Sequence, residues 1–217
     1  MLKNKKSLWI TSMVLFITGT VFAQPVGLTI KNVNILPNGS GTLDINMINQ
    51  AGCSYCSDKT YNEKAHCENY GSSAGNTVLD ATWNFDATMD INECTVANGV
   101  YFDGIVGGFQ FELYGIALTG ASGGSQETND FTVSTSARSV LGFSLSGTTI
   151  PAGDSVLVQV SFTDYGIVDT TATSYSICFG EDTGTAGGTA MADAAGGYIN
   201  TEWGVCWCAA MEGTDMY

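Results

Sequence analysis

Hydrophobic and polar residues alternate along several short stretches of the chain, and this alternation is typical of half-buried β-strands. Phe109, Phe111 and Leu113 occupy every second position of one such stretch. The clearest example is 156–162, where three valines and a phenylalanine occupy every second position. The residues between them are polar except for Leu157, so we expect the second face of this strand to be partly covered near Leu157. No segment keeps a 3.6-residue period over three turns. The pattern therefore predicts an antiparallel β-sandwich built from short strands.

Turn signals divide these predicted strands. The sequence Pro-Asn-Gly-Ser-Gly at 37–41 separates two β-rich runs and predicts a hairpin. The stretch 175–179 is predicted to be the last core strand, because a loop of small residues follows over 180–197.

Residues 51–104 interrupt the alternating pattern. They are polar, hold four of the seven cysteines and show no sustained period. We call this segment the cysteine-rich insert. The predicted organisation is one β-sandwich over residues 24–208 that contains the insert, followed by a C-terminal tail at 209–217.

The N-terminus has the features of a secretory signal. Lysines precede an apolar run over residues 8–22, and Val-Phe-Ala ends at Ala23. This predicts a signal peptide over 1–23. An uncleaved anchor is the alternative, but the run is short against the about 20 residues that a membrane-spanning helix needs. We expect a protein that is secreted or held at the cell surface, with no membrane segment after cleavage.

Charge limits the choice of partners. The chain has 7 Lys and Arg against 21 Asp and Glu, a formal net charge of -14. Nucleic acids and anionic membranes are bound by clustered basic residues, so neither is an expected partner. The hydrophobic content of 44% also excludes a disordered acidic tail.

Export into an oxidising compartment favours disulfides among the cysteines. The seven candidates are Cys53, Cys56, Cys67, Cys94, Cys178, Cys206 and Cys208. Their odd number leaves at least one unpaired, and spacing alone does not fix the pairing. We favour bridges within 53–94 and one from Cys178 to Cys206 or Cys208. A zinc site built from Cys53, Cys56, Cys67 and His66 is the alternative.

Two further stretches follow one another in the order found in a known family. Residues 107–113 read Gly-Gly-Phe-Gln-Phe-Glu-Leu, and residues 140–153 read Val-Leu-Gly-Phe-Ser-Leu-Ser-Gly-Thr-Thr-Ile-Pro-Ala-Gly before the strand at 156–162. Together they resemble the "G-x-x-x-F-x-L" strand and the "G-x-x-I-x-x-G" turn of cohesin domains. Asp154 and Ser155 stand where that family often has a small residue.

The resemblance to cohesins implies a jelly-roll sandwich of about nine strands, related to cellulose-binding modules. It also implies a non-catalytic receptor that binds the calcium-loaded dockerin modules of secreted enzymes. The cysteine-rich insert and the C-terminal cysteines depart from the family pattern. A single copy without repeats argues against the scaffold of a cellulosome.

Catalytic arrangements find little support in the sequence. His66 is the only histidine, and no Gly-x-Ser-x-Gly motif accompanies it. Glu112 and Glu202 are candidates for the two catalytic carboxylates of a glycosidase, but the simpler interpretation is that both are solvated acids on the surface. We expect no enzyme and no required cofactor.

Calcium is the metal that the sequence best accommodates. Carboxylate and amide oxygens are its usual ligands. The candidates within the cysteine-rich insert are Asp80, Asp86, Asp90, Asn92 and Glu93. Their order lacks the EF-hand pattern, so the alternatives are a structural calcium site and a solvated acidic loop.

Large aromatic residues offer candidate platforms for sugars. Trp83 with Tyr101 forms one pair, and Trp203 with Trp207 forms another. The alternative is that these rings pack over the disulfides and the ends of the sandwich.

The leading functional expectation is recognition of a secreted or surface protein, dockerin-like in kind, through an exposed sheet face to which the insert contributes. A carbohydrate-binding module for a polysaccharide is the main alternative. A self-associating structural subunit of a surface layer or filament is the third.

Overall fold

The computed structural model describes residues 24–72, 78–166, 175–185 and 188–209. The predicted signal peptide at 1–23 and residues 210–217 of the predicted tail lie outside this part. Within it, no helix is long and apolar enough to cross a bilayer.

The first sheet has five strands in the order β14-β1-β2-β10-β7. Their bounds are β1 (Val26–Ile35), β2 (Gly41–Asn49), β7 (Ala117–Ser122), β10 (Gly153–Thr163) and β14 (Thr201–Trp203). Strands β1 and β2 form the predicted hairpin, with Gly39 at a φ of 78° in its turn. Glycine adopts this left-handed conformation without a steric cost. Strand β14 runs parallel to β1 and extends the sheet at its edge.

The second sheet has seven strands. The path β13-β12-β6-β11-β15 is extended by β9, which pairs with β6, and by β8, which pairs with β9. The bounds are β6 (Val106–Tyr114), β8 (Thr132–Thr135), β9 (Ser139–Phe143), β11 (Ser176–Phe179), β12 (Ala190–Asp193), β13 (Tyr198–Ile199) and β15 (Trp207–Cys208). Strand β6 is therefore central, and it carries the alternation of Phe109, Phe111 and Leu113 seen in the sequence.

The cysteine-rich insert forms a small sheet of its own, in the order β4-β3-β5. These strands are β3 (Gly52–Cys56), β4 (Trp83–Asp86) and β5 (Val100–Phe102), accompanied by the helices α1 (Lys64–Tyr70) and α2 (Ile91–Val96). A third short helix, α3 (Gly124–Thr128), lies outside the insert. Because each element spans only a few residues, none of them produces a sustained period in the sequence.

One hydrophobic cluster takes buried side chains from both large sheets. Leu43 and Phe162 come from the first sheet, and Phe111, Leu113 and Met191 come from the second. Alternate residues of facing strands fill the space between two sheets in this way. The prediction of an all-β protein with a disulfide-rich insert is confirmed.

Strand β10 contains a local departure from strict alternation. Leu157 and Val158 are both buried although they are neighbours, and the register with β2 shifts between Val156 and Val158. A β-bulge of this kind lets two consecutive side chains be buried. Helix α3 packs against β10 and covers the strand, as Gly124 shows by its close approach to the backbone at Leu157.

Part of the predicted C-terminal loop forms a strand of the second sheet. The predicted small-residue loop at 180–197 contains strand β12, which pairs with β6 along Ala190, Met191 and Ala192. The stretch 175–179 is therefore not the last core strand. Alanines and glycines give little periodic signal, and the pairing with β6 determines their conformation. The described residues hold 15 strands, several of only two to four residues, against the expected nine or so.

Candidate functional site

Three disulfides join six of the seven cysteines. Cys53 pairs with Cys94 and Cys56 pairs with Cys67, both within 53–94. The third bridge joins Cys178 to Cys206, and Cys208 remains free and exposed. With Cys53, Cys56 and Cys67 all bridged, no thiolate is left in the insert for the zinc site considered above.

The two bridges of the insert connect its helices to its sheet. The Cys53–Cys94 bridge joins β3 to α2, and the Cys56–Cys67 bridge joins β3 to α1. A side chain at Gly99 would meet Cys53 Sγ at 2.5 Å, so this turn needs a residue without a Cβ. The bridges therefore set where each helix lies.

The candidate calcium ligands are engaged in local hydrogen bonds. Asp86 accepts from the backbone N–H and the hydroxyl of Thr88 at 2.8 and 2.6 Å, and these bonds lower the pKa of its carboxyl. Asp90 caps helix α2 by accepting from the backbone of Asn92 and Glu93, and Glu93 accepts in return from the Asp90 N–H. Across the described residues, no three His, Cys, Asp or Glu side chains are grouped so as to hold a metal ion.

The two conceivable glycosidase carboxylates lie on different sheets. Glu112 is on β6 and accepts from the hydroxyl of Tyr114 at 2.8 Å, which raises the pKa of that tyrosine. Glu202 is on β14, in the first sheet. His66 is exposed on helix α1, with its Nδ1 at 3.1 Å from Glu63 Oε2. The structure does not bring these residues together as a catalytic group.

The four predicted platform residues are placed differently from one another. Trp83 is only 7% exposed and packs with the Cys56–Cys67 bridge. Tyr101 on β5 is partly exposed. Trp203 packs on Phe179 with ring centroids 5.3 Å apart, whereas Trp207 packs on Tyr165 at 6.0 Å.

Sequence reasoning missed Tyr198, which lies on β13 directly after the segment 180–197 expected to be a loop. Its ring is 47% exposed, and its hydroxyl donates to Asp182 Oδ2 at 2.9 Å. The same oxygen accepts from the indole N–H of Trp203 at 2.7 Å, and Asp182 Oδ1 accepts from the Gly184 N–H. Burial and the neighbouring carboxylate raise the pKa of Tyr198. The only signal in the sequence is an aromatic residue directly after two glycines.

The outer face of the second sheet carries a shallow groove of 240 Å³. Strand register explains its shape, because Ala192, Gly108 and Phe143 are neighbours across β12, β6 and β9. The adjacent row contains Ala190, Gln110 and Leu141. We call this surface the sheet-face groove. Small residues form its floor, and none of the described residues that line it is charged.

The outer face of the first sheet is polar by contrast. Asp44 accepts hydrogen bonds from the amides of Asn32 and Gln159, and Asn46 donates to Asp154. The two outer faces of the sandwich therefore present different chemistry to a partner.

Comparison with known proteins gives no family for this chain. No protein-family model matches it, and no curated protein is significantly similar to it.

Proposed function

We propose that this protein is an exported, non-catalytic binding module, cohesin-like in kind, that recognises another protein through the sheet-face groove. The observation that carries the proposal is an uncharged, partly apolar groove on the surface of a chain with a net charge of -14. Contiguous exposed apolar surface on a soluble domain commonly marks an interaction site. Depletion of charge is also the composition expected at the core of a protein interface.

The side chains of the groove define the partner's chemistry. Leu141 is 38% exposed, and Phe143 lies beside the small residues Gly108 and Ala192. An apolar side chain of a partner can be buried between them, at about 25 cal/mol for each Å² removed from water. The acidic charge of the rest of the chain favours a partner with basic residues around its apolar contact.

Two further features support the proposal. The stretches that resemble cohesin motifs supply strands β6 and β9, which line the groove together with β12. The three disulfides fit an oxidising compartment outside the cytoplasm, where a secreted partner is encountered.

The test is an affinity capture from the host's secreted fraction, first with calcium and then with chelator. The variant Leu141→Glu places a charge in the groove and should lose the captured protein. Leu36→Glu is the matched control, because Leu36 is an exposed leucine beside the β1–β2 turn. Capture that survives Leu141→Glu would contradict the proposal. Retention of the same chain alone would favour a self-assembling structural subunit instead.

A further inference from the structure

A second concave surface lies where the cysteine-rich insert meets the C-terminal strands of the sandwich. Two clefts of 370 and 540 Å³ share three lining residues, Lys64, Tyr198 and Asn200. Gln24 and Asp182 line the first cleft, and Trp83 lines the second. We call the two together the junction cleft. The volume of each cleft lies in the range of about 300–1,000 Å³ that is typical of small-molecule sites.

Several polar groups that line the junction cleft have no hydrogen-bond partner among the described residues. Gln24 is only 8% exposed, and its buried Oε1 accepts no hydrogen bond. The indole N–H of Trp83 is also buried and unpaired. Lys64 and Asn200 make no side-chain hydrogen bond or ion pair with the described residues. The unpaired atoms of Gln24 and Trp83 have almost no accessible surface, so the unpaired polar groups that a ligand can reach are the side chains of Lys64 and Asn200.

Tyr198 gives the cleft an exposed aromatic ring whose position is fixed. Its hydroxyl donates a hydrogen bond to Asp182, and the indole N–H of Trp203 donates to the same carboxylate oxygen. The ring is therefore available for contact while its polar end is already bonded. A fixed ring offers apolar contact area at a small cost in side-chain entropy.

The charges that line the cleft disfavour an anionic ligand. Lys64 and three carboxylates, those of Glu63, Glu68 and Asp182, line the cleft, for a formal charge of -2. Side-chain amides, which both donate and accept, come from Gln24 and from three asparagines: Asn62, Asn69 and Asn200. A sugar hydroxyl also donates and accepts, so it can donate a hydrogen bond to an amide oxygen or accept one from an amide N–H.

We propose that the junction cleft binds a neutral saccharide. A pyranose ring packs its C–H face on Tyr198, and its hydroxyls bond to the side-chain amide of Asn200. The junction cleft adjoins the sheet-face groove at Tyr198, which lines both, but its proposed ligand is a saccharide and not a protein. It also gives the insert a role, because helix α1 and strand β4 supply one wall of the cleft and the Cys56–Cys67 bridge holds that helix in place.

The test begins with a glycan array that carries neutral hexose and pentose oligosaccharides beside uronate and sulfated ones. The best neutral probe is then titrated calorimetrically against the protein and its variants. Tyr198→Ala and Asn200→Ala should each raise the Kd by about tenfold or more, which corresponds to about 1.4 kcal/mol. Tyr114→Ala is the matched control, because it removes a similarly exposed tyrosine at another part of the sheet and should leave the Kd unchanged.

A second variant separates lost contact from lost folding. Tyr198→Phe keeps the ring and removes only the hydroxyl, so it should weaken binding less than Tyr198→Ala. Circular dichroism should show that each variant keeps its fold. The proposal is overturned if no neutral probe is retained, if acidic probes are preferred, or if Tyr198→Ala and Asn200→Ala bind as well as the unchanged protein.

Discussion

The sandwich and the cysteine-rich insert are stabilised in different ways. One cluster of 22 buried hydrophobic residues fills the space between the two large sheets, and all of them except Phe102 belong to the sandwich. The insert has a second cluster of only four buried residues, and two of these are the bridged Cys56 and Cys67. A segment this small buries too little apolar surface to hold its fold by packing alone, and covalent bridges supply what is missing. The comparison teaches that reducing conditions and core mutations should act on different parts of the molecule.

The largest loss of stability is expected from a substitution in the sandwich core. Phe111 is fully buried on β6 and contacts the rings of Phe109 and Phe179. Phe111→Ala should lower the free energy of unfolding by about 3–5 kcal/mol, through lost burial and a residual cavity. Denaturation in urea measures this change. Phe143→Ala, at a partly exposed site on β9, should cost less, and an equal loss from both would contradict the assignment of the core.

Removing one disulfide bridge should destabilise the cysteine-rich insert and leave the sandwich folded. The Cys53–Cys94 bridge spans 41 residues, and the chain-entropy relation gives it about 4 kcal/mol of stabilisation. The double variant Cys53→Ser with Cys94→Ser should open the insert while the sandwich remains folded. Hydrogen exchange should then become faster in β3 and α2 but not in β2 and β10. Equal acceleration in both regions would show that the insert and the sandwich unfold together.

A glycine of the second sheet allows a finer test of packing in the sandwich. A methyl group at Gly142 would overlap the ring of Phe109, which lies across from it on β6. Gly142→Ala should therefore lower the free energy of unfolding by about 1–3 kcal/mol through overpacking. Gly153→Ala is the control, because no atom lies within 4 Å of the added methyl group. Restoration of stability by adding Phe109→Leu would confirm that the ring is the cause.

The same contrast explains how far the sequence predicts the structure. Alternation at Phe109, Phe111 and Leu113 reflects burial against a facing sheet, so the core strands are predictable from local pattern. Strand β12 is not, because Ala190 and Ala192 carry little preference and take their conformation from β6. The insert is harder still. Its fold depends on which cysteines pair, and spacing leaves that choice open.

The candidate sites follow the same rule. The aromatic residues Trp83 and Trp203 stand out in the sequence, but the structure packs both against neighbouring rings or bridges. Tyr198 becomes notable only in the structure, where its hydroxyl donates a hydrogen bond to Asp182, 16 residues away in the sequence. Long-range contacts of this kind leave no local signal in the sequence.

The smallest expected effect is a dependence on alkaline pH at the edge of the second sheet. Burial first, and then the charge of Asp182, raise the pKa of Tyr198, so the folded protein favours the protonated phenol. Its contribution to stability is complete below the unfolded pKa of about 10 and is lost as the pH rises above that value. Thermal melts between pH 9 and 11 should therefore show a decline that Tyr198→Phe makes shallower. Tyr101→Phe, which changes a tyrosine of the insert, should leave the decline as it is. Tyr198 lines both the sheet-face groove and the junction cleft. If Tyr198→Phe leaves the pH profile unchanged, the hydrogen bond to Asp182 does not fix the position of the Tyr198 ring.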